Sequence, residues 1–334
     1  MMRRAATLAP IVDSIPEFVL HVSLETPFPV GPVNCYVLPG DPVTVVDPGL
    51  LYADSVQRLT ELLARAGLGL GDVERVVVTH AHPDHFGMAA WVAEQADARI
   101  LTGAPEIEKL VEGWMHDAMY AAVERLGVPS EAFANVPNVY AAVFEMVHPF
   151  GASPIDAVED GEVLVLGGRE WKAHVTPGHS KGHLSLFDPL DGVLLSGDHL
   201  LPQITPNPVM EPDPQCALGR RQSLVEYLAT LDRFVALDPG VALPGHGPAF
   251  TGTPALAAAV RAHHVERAQE ILAVVGNLGR PSAYEIAIVL FPDLRDFGML
   301  LGVSEAVGHL DLLVEEGVVE REAGRPDRYQ VKGR

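Results

Sequence analysis

Short apolar runs alternate with one-sided helical spacings through the first half of the chain. Val43 to Asp47 and Glu74 to Thr79 are rich in valine and end in polar or glycine turns, the pattern of buried strands. Ala53 to Ala66 and Phe86 to Gln95 space their apolar residues for amphipathic helices. From Glu162 onward the elements shorten. Glu162 to Leu166, Glu170 to Thr176, His183 to Asp188 and Val193 to Ser196 read as strands, separated by Gly167-Gly168, Pro177-Gly178 and Asp191-Gly192, which predicts a meander. Mixed strands with helices outside them predict an α/β fold of αββα type: two sheets face to face, covered by helices.

Two segments depart from this pattern. Residues 104–148 have helical spacing and many large apolar groups, including Trp114, Met115, Met119, Tyr120, Phe133, Tyr140, Phe144 and Met146. They form either a buried helical pair or a lid over a substrate site. After Thr251 to Pro254 the periodicity becomes helical over Ala255 to Leu278, Ser282 to Leu290 and Ser304 to Glu316. It closes with two short strands around Ala323-Gly324-Arg325-Pro326. Three helices and a hairpin resemble a small winged-helix module. The expected organisation is a catalytic domain over 1–254, with the helical insertion at 104–148, and a winged-helix-like domain over 255–334.

Charge narrows the partners. The 44 acidic residues outnumber 23 basic ones, for a net charge of -21, a field that repels phosphate backbones and anionic membranes. Residues 256–334 carry nine Lys and Arg against twelve Asp and Glu, and Ser304 to Glu316 contains Glu305, Asp311, Glu315 and Glu316 with no basic residue, a poor groove reader. Nucleic acid is therefore disfavoured and a small-molecule substrate expected. Cys35 and Cys216 are too few for a disulfide framework, which fits a reducing cytoplasm. Met1 to Pro16 lacks a clean signal-peptide core, and no uninterrupted apolar run reaches the length of a membrane span, so a soluble protein is expected. The exposed helices of the last domain make a homodimer plausible.

The chemistry is concentrated where the second strand ends. Thr79-His80-Ala81-His82-Pro83-Asp84-His85-Phe86-Gly87 runs from a buried strand into a turn that opens a helix, since Pro83 cannot sit inside a sheet. His80 and His82 lie two apart, so an extended backbone turns both to one side, and Asp84 and His85 point from the turn toward a second position. Imidazole and carboxylate ligands suit zinc, with iron or manganese as alternatives. Three further candidates, His179, Asp198 and His246, each follow a strand-like run and a glycine that allows close backbone approach.

THAHPDHFG, TPGHSKGH, SGDHL and LPGHG, in that order and with Asp47 in VVDPG, resemble the metallo-β-lactamase fold superfamily over about residues 20–250. The resemblance implies two zinc ions. His80, His82 and His179 would hold one, Asp84, His85 and His246 the other, with Asp198 bridging them and a water-derived hydroxide between. Asp84 is also the candidate catalytic residue, orienting that hydroxide or receiving its proton. Aspartate at 198, where antibiotic-degrading members carry cysteine, resembles glyoxalase II and related thioester, lactone and phosphodiester hydrolases. The expectation is hydrolysis of a small ester, thioester or lactone. The alternative is a phosphodiesterase or endoribonuclease acting on single-stranded RNA, because some members with a winged-helix appendage cleave RNA. No serine nucleophile elbow competes. Supporting roles are expected for Asp47, His183 and His199. His263 and His264 are expected to be ordinary helix residues, and His116 and His148 are candidates for substrate contact.

Overall fold

The structure, a computed structural model, describes residues 9–113, 117–151 and 154–333. Trp114, Met115 and His116 lie outside the described residues.

One sheet runs in chain order: β1 (Leu20–Leu24), β2 (Val33–Leu38), β3 (Thr44–Val46), β4 (Arg75–Val77), β5 (Arg99–Gly103) and β6 (Ile155–Val158). Its first three strands are antiparallel, and β3 to β6 are parallel. The second sheet, in spatial order 11-10-9-8-7, is made of β7 (Val163–Leu166), β8 (Arg169–Val175), β9 (Leu184–Asp188), β10 (Val193–Gly197) and β11 (Val241–Pro244). Strands β7 to β10 form the expected antiparallel meander, and β11 joins parallel to β10.

Alternation along the strands separates the layers. Tyr36 and Leu38 of β2 meet Trp171, Leu186, Val193 and Leu195 of the second sheet, whereas Val33, Cys35 and Val37 face Leu59, Leu62 and Leu63 of α1 (Ala53–Arg65). On the far side, Leu194 and Ala242 pack under Leu224, Tyr227, Leu231 and Phe234 of the helix at Ser223–Leu237. The αββα sandwich expected from the sequence is therefore present.

The single helix expected over Phe86 to Gln95 is instead two, α2 (Pro83–Phe86) and α3 (Ala89–Ala96). At the break the Met88 N–H donates to the Gly49 carbonyl at 2.7 Å. A Cβ on Gly87 would stand 3.0 Å from the Leu50 Cα, so the backbones meet there. This contact fixes α2, and with it Asp84 and His85, against the loop after β3.

The insertion consists of α4 (Ile107–Glu112), α5 (Asp117–Arg125), α6 (Ser130–Phe133) and α7 (Val136–Phe144). Next in the chain come α8, the helix at Ser223–Leu237, then α9 (Thr253–Leu278), α10 (Ala283–Leu290) and α11 (Asp296–Glu315), before the hairpin of β12 (Val319–Glu322) and β13 (Arg328–Val331). Met119, Val123, Leu126 and Phe133 share one apolar core with Ile271, Ile286, Val303 and Leu310, so the insertion closes against the C-terminal helices. Helix α10 starts in a capping box: Ser282 N–H donates to Glu285 at 2.7 Å, and Glu285 N–H to the Ser282 hydroxyl at 3.2 Å.

Helix α11 begins at Asp296 rather than at Ser304. Gly298 and Gly302 weaken its helical signal, yet Met299, Leu300 and Val303 bury in the shared core, and packing outweighs propensity. By length and composition α11 is apolar enough to cross a membrane, but 67% of its apolar window is buried inside the protein, as in the core helix of a folded domain. Its Asp311 forms a buried two-point ion pair with Arg220, at 2.6 and 2.8 Å, which ties the helix to the segment before α8.

Candidate metal centre

All seven residues singled out for metal binding converge at one end of the sandwich. His80 and His82 leave the end of β4, Asp84 and His85 sit in α2, and His179, Asp198 and His246 follow β8, β10 and β11. Three groups lie within reach of single ions, with ligand atoms no more than 4.8 Å apart: His80, His82 and His179; His80, His85 and Asp198; and Asp84, His85 and His246. His82 Nδ1 lies 2.7 Å from His80 Nε2 and 3.0 Å from His179 Nε2. His246 Nε2 lies 3.3 Å from Asp84 Oδ2. Asp198 reaches both sides, with Oδ1 3.5 Å from His85 Nε2 and Oδ2 3.7 Å from His179 Nε2 and 3.5 Å from His246 Nε2.

The outward ring nitrogens of His80, His85, His179 and His246 are held by oxygen, which sets the tautomers. His85 Nδ1 donates to Asp47 Oδ2 at 2.8 Å, His246 Nδ1 to the Pro32 carbonyl at 2.8 Å and His179 Nδ1 to the Asn207 carbonyl at 3.1 Å. Asp47, in the left-handed region at φ 49°, also accepts the Thr79 N–H at 2.8 Å and its hydroxyl at 2.7 Å. That hydroxyl in turn lies 3.0 Å from His80 Nδ1. The inward Nε2 atoms of His80 and His179 meet His82 Nδ1, whereas those of His85 and His246 face the centre. Among the described residues, His85 Nε2, His246 Nε2 and Asp198 Oδ1 are buried without a hydrogen-bond partner, so the donor set fits divalent cations.

Electrostatics point the same way. Burial, with neighbouring imidazoles, holds His80 and His82 well below the ordinary histidine value, and burial lowers His179. For His85 and His246 burial also pulls down, but the Asp198 carboxylate outweighs it, with help from Asp47 at His85 and Asp84 at His246, and both are raised. Burial pushes the Asp198 carboxyl up, and the His246 and His85 imidazoles bring it well below the carboxylate range. A buried carboxylate among neutral imidazoles demands positive charge, from protons on His85 and His246 or from metal.

The glycine reading holds at one ligand only. A Cβ on Gly245 would stand 2.1 Å from Asp198 Oδ1, whereas on Gly197 it would meet His183 Nε2 at 2.5 Å and on Gly178 the Tyr227 Cα at 2.3 Å. Gly178 therefore serves the packing of α8. His183 supports the centre: its Nε2 accepts the Asp198 N–H at 3.1 Å, while Nδ1 lies 2.8 Å from the Thr176 hydroxyl. His199 packs against Tyr227 and Phe234 and pairs with the Thr230 hydroxyl at 2.9 Å. His148 pairs with Glu94 at 2.8 Å, and His264 with His309 at 3.1 Å.

Sequence reasoning missed three supports. Asn34 holds the His246 loop, its amide donating to the Pro244 and Gly247 carbonyls at 2.9 and 2.7 Å, and a lone Asn in the apolar run of β2 was a usable signal. Asn207 connects His179 to α11, donating its amide to the Leu301 carbonyl at 3.2 Å. Glu106, completely buried in the insertion, binds both ligand loops. Neither of the last two has a pattern that reveals its partner.

Comparison with known proteins agrees with this geometry. The family model of the metallo-beta-lactamase superfamily matches residues 28–246. The "probable metallo-hydrolase YqjP" of Bacillus subtilis is 29% identical over 308 residues, 91% of this chain and 94% of that protein. A hydroxyacylglutathione hydrolase of Idiomarina loihiensis is 27% identical over 161 residues, 48% of this chain and 42% of its own. The crystal structure of a metallo-beta-lactamase family protein from Thermus thermophilus superposes with a TM-score of 0.78 at 29% identity, covering 96% of this chain and 100% of that one. With its αββα sandwich and its cluster of five histidines and two aspartates, this chain belongs to the metallo-beta-lactamase superfamily and is a metallo-hydrolase.

Proposed function

We propose that the protein is a binuclear zinc hydrolase of small esters, thioesters or lactones, in the glyoxalase II-like branch of its superfamily. The observation that carries this reading is Asp198, whose two carboxylate oxygens lie within 3.7 Å of His85 and His246 on one side and His179 on the other, the position of a bridging ligand. Similarity to a hydroxyacylglutathione hydrolase supports the thioester class. The net charge of -21 and the acidic C-terminal helices, read as a winged-helix-like module that packs rather than binds nucleic acid, speak against RNA.

In this reading His80, His82 and His179 hold one ion, Asp84, His85 and His246 the other. When bound, two divalent ions lower the pKa of a shared water towards neutrality and polarise the electrophile's oxygen. The protein's own contribution is orientation and proton handling. Asp47, Pro32 and Asn207 keep His85, His246 and His179 in the tautomer that presents Nε2 inward. Asp84, only 6% exposed and held below its usual value by His246 and His85 against burial, is ionised and ready to accept a proton from the attacking water.

Zinc-loaded protein would be assayed against S-acyl glutathione, an acyl-homoserine lactone, aryl esters, bis-p-nitrophenyl phosphate and single-stranded RNA, with metal content measured in parallel. Turnover of the acyl substrates, lost on chelation and in His82→Ala together with metal, is expected. Preferential RNA cleavage abolished by Asp84→Ala would overturn the substrate class, and full turnover by metal-free His82→Ala would overturn the mechanism.

A further inference from the structure

Glu106 opens the insertion and is completely buried. Its carboxylate accepts four hydrogen bonds: Oε2 from the Ala81 N–H at 2.8 Å and the Lys109 ammonium at 2.7 Å, Oε1 from the Ser180 hydroxyl at 3.0 Å and the Gly182 N–H at 2.5 Å. Ala81 stands between His80 and His82, and Ser180 directly follows His179. One side chain thus joins two loops whose ligands, His82 and His179, are 97 positions apart in the chain.

The local backbone is shaped for this contact. A Cβ on Gly182 would stand 2.8 Å from the Pro105 ring and 3.0 Å from the Glu106 nitrogen, and one on Gly103 would overlap the Gly182 carbonyl. Burial raises the Glu106 carboxyl, but Lys109 and the Ala81 and Gly182 N–H groups bring it below its usual value, so it is ionised. Only an ionised carboxylate accepts from four donors at once. A glutamine would turn its own N–H groups toward two of them, the pair on one oxygen. The other half of the centre has separate supports, Asp47 behind His85 and Pro32 behind His246.

We propose that Glu106 is a positioning residue of the metal centre, clamping the His80–His82 loop to the His179 loop and so setting the three-histidine site, while the Asp84–His85–His246 site does not depend on it. The proposal rests on the two-metal reading above. Lys109 extends the clamp, since its ammonium also lies 2.5 Å from Glu211 in the segment before α8.

The test compares full-length wild type, Glu106→Gln and His179→Ala by chelator competition with zinc and by the visible spectrum of bound cobalt(II), with circular dichroism to verify folding. Folded Glu106→Gln is expected to bind one metal about 10–100-fold more weakly than wild type, with a changed cobalt spectrum, and to keep the other unaltered. The weakened metal is the one that His179→Ala removes. If Glu106→Gln does not fold, Ser180→Ala, which removes a single arm, is expected to weaken the same metal by a smaller factor. Wild-type affinity at both sites in Glu106→Gln, equal weakening of both, or an unaltered site in Ser180→Ala overturns the clamp. Wild type that binds fewer than two metals overturns the two-metal reading instead. If the one it binds is lost in His179→Ala, the clamp is judged on that metal.

Discussion

Gly245→Ala places a methyl group inside the metal centre. Its carbon would lie 2.1 Å from Asp198 Oδ1 and 2.7 Å from His85 Cε1, where about 3.5 Å is the comfortable separation, so one partner must retreat by more than an ångström. The glycine's own loop is the less free to move. Gly245 N–H donates to the Gly197 carbonyl at 2.8 Å and its carbonyl accepts the Asn34 N–H at 2.7 Å, while Asn34 and Pro32 fasten the residues on either side. Asp198 and His85 must therefore give way, and both belong to the ligand cluster. Overpacking of this kind costs about 1–3 kcal/mol of stability, which a fold of this size survives. The functional effect is larger: a shift of about 1 Å in a reacting group can cost about 100-fold in turnover. A folded variant with clearly weakened metal binding and about 100-fold lower turnover is expected, measured by thermal melting, chelator competition and hydrolysis of the best acyl substrate. Gly245→Ala with wild-type metal affinity and turnover would refute the argument that the backbone here is packed against the ligands.

Three further outcomes follow from the same structure. Asp311→Ala leaves Arg220, only 4% exposed, without its carboxylate, and is expected to destabilise the protein by about 3–5 kcal/mol in urea titration; a loss under about 1 kcal/mol would mean the pair is hydrated. Asn207→Ala cuts the link from Leu301 to the carbonyl that holds His179, and should weaken metal binding by about tenfold with α11 otherwise intact; unchanged affinity would count against that link. His264 is held down to about 2 by burial, then by His309, His263 and Arg267. The unfolded chain takes up this proton below pH 6.5 and the folded chain does not, so its contribution is complete above pH 6.5 and is lost as pH falls, by about 1.4 kcal/mol per unit. Replacing His264 with Leu should flatten the acid side of the stability profile by that slope relative to wild type in the same metal state, and an unaltered profile would show that His264 is charged in the fold.

The candidate ligand residues were legible because they stand in four short motifs at or just after strand ends, and imidazole and carboxylate carry their chemistry wherever the chain places them. The meander was legible because alternation and turn residues are local properties, whereas the order of strands in the first sheet was not read from the sequence. Helix α11 was read eight residues short, since its first turns are stabilised by burial of Met299, Leu300 and Val303 and not by propensity. The break at Gly87 was invisible for a similar reason: the Gly49 carbonyl that takes the Met88 N–H belongs to another loop.

By itself, then, the sequence determined the sandwich, the candidate ligand residues and the aspartate at 198, all of which depend on residue identity and near-neighbour spacing. Only the tertiary structure decided that the insertion closes on the C-terminal helices, that Asn207 connects α11 to His179, and that Glu106 joins two loops far apart in the chain. Such contacts pair donors and acceptors across long loops, and their energy depends on a geometry that exists only after the two sheets have packed.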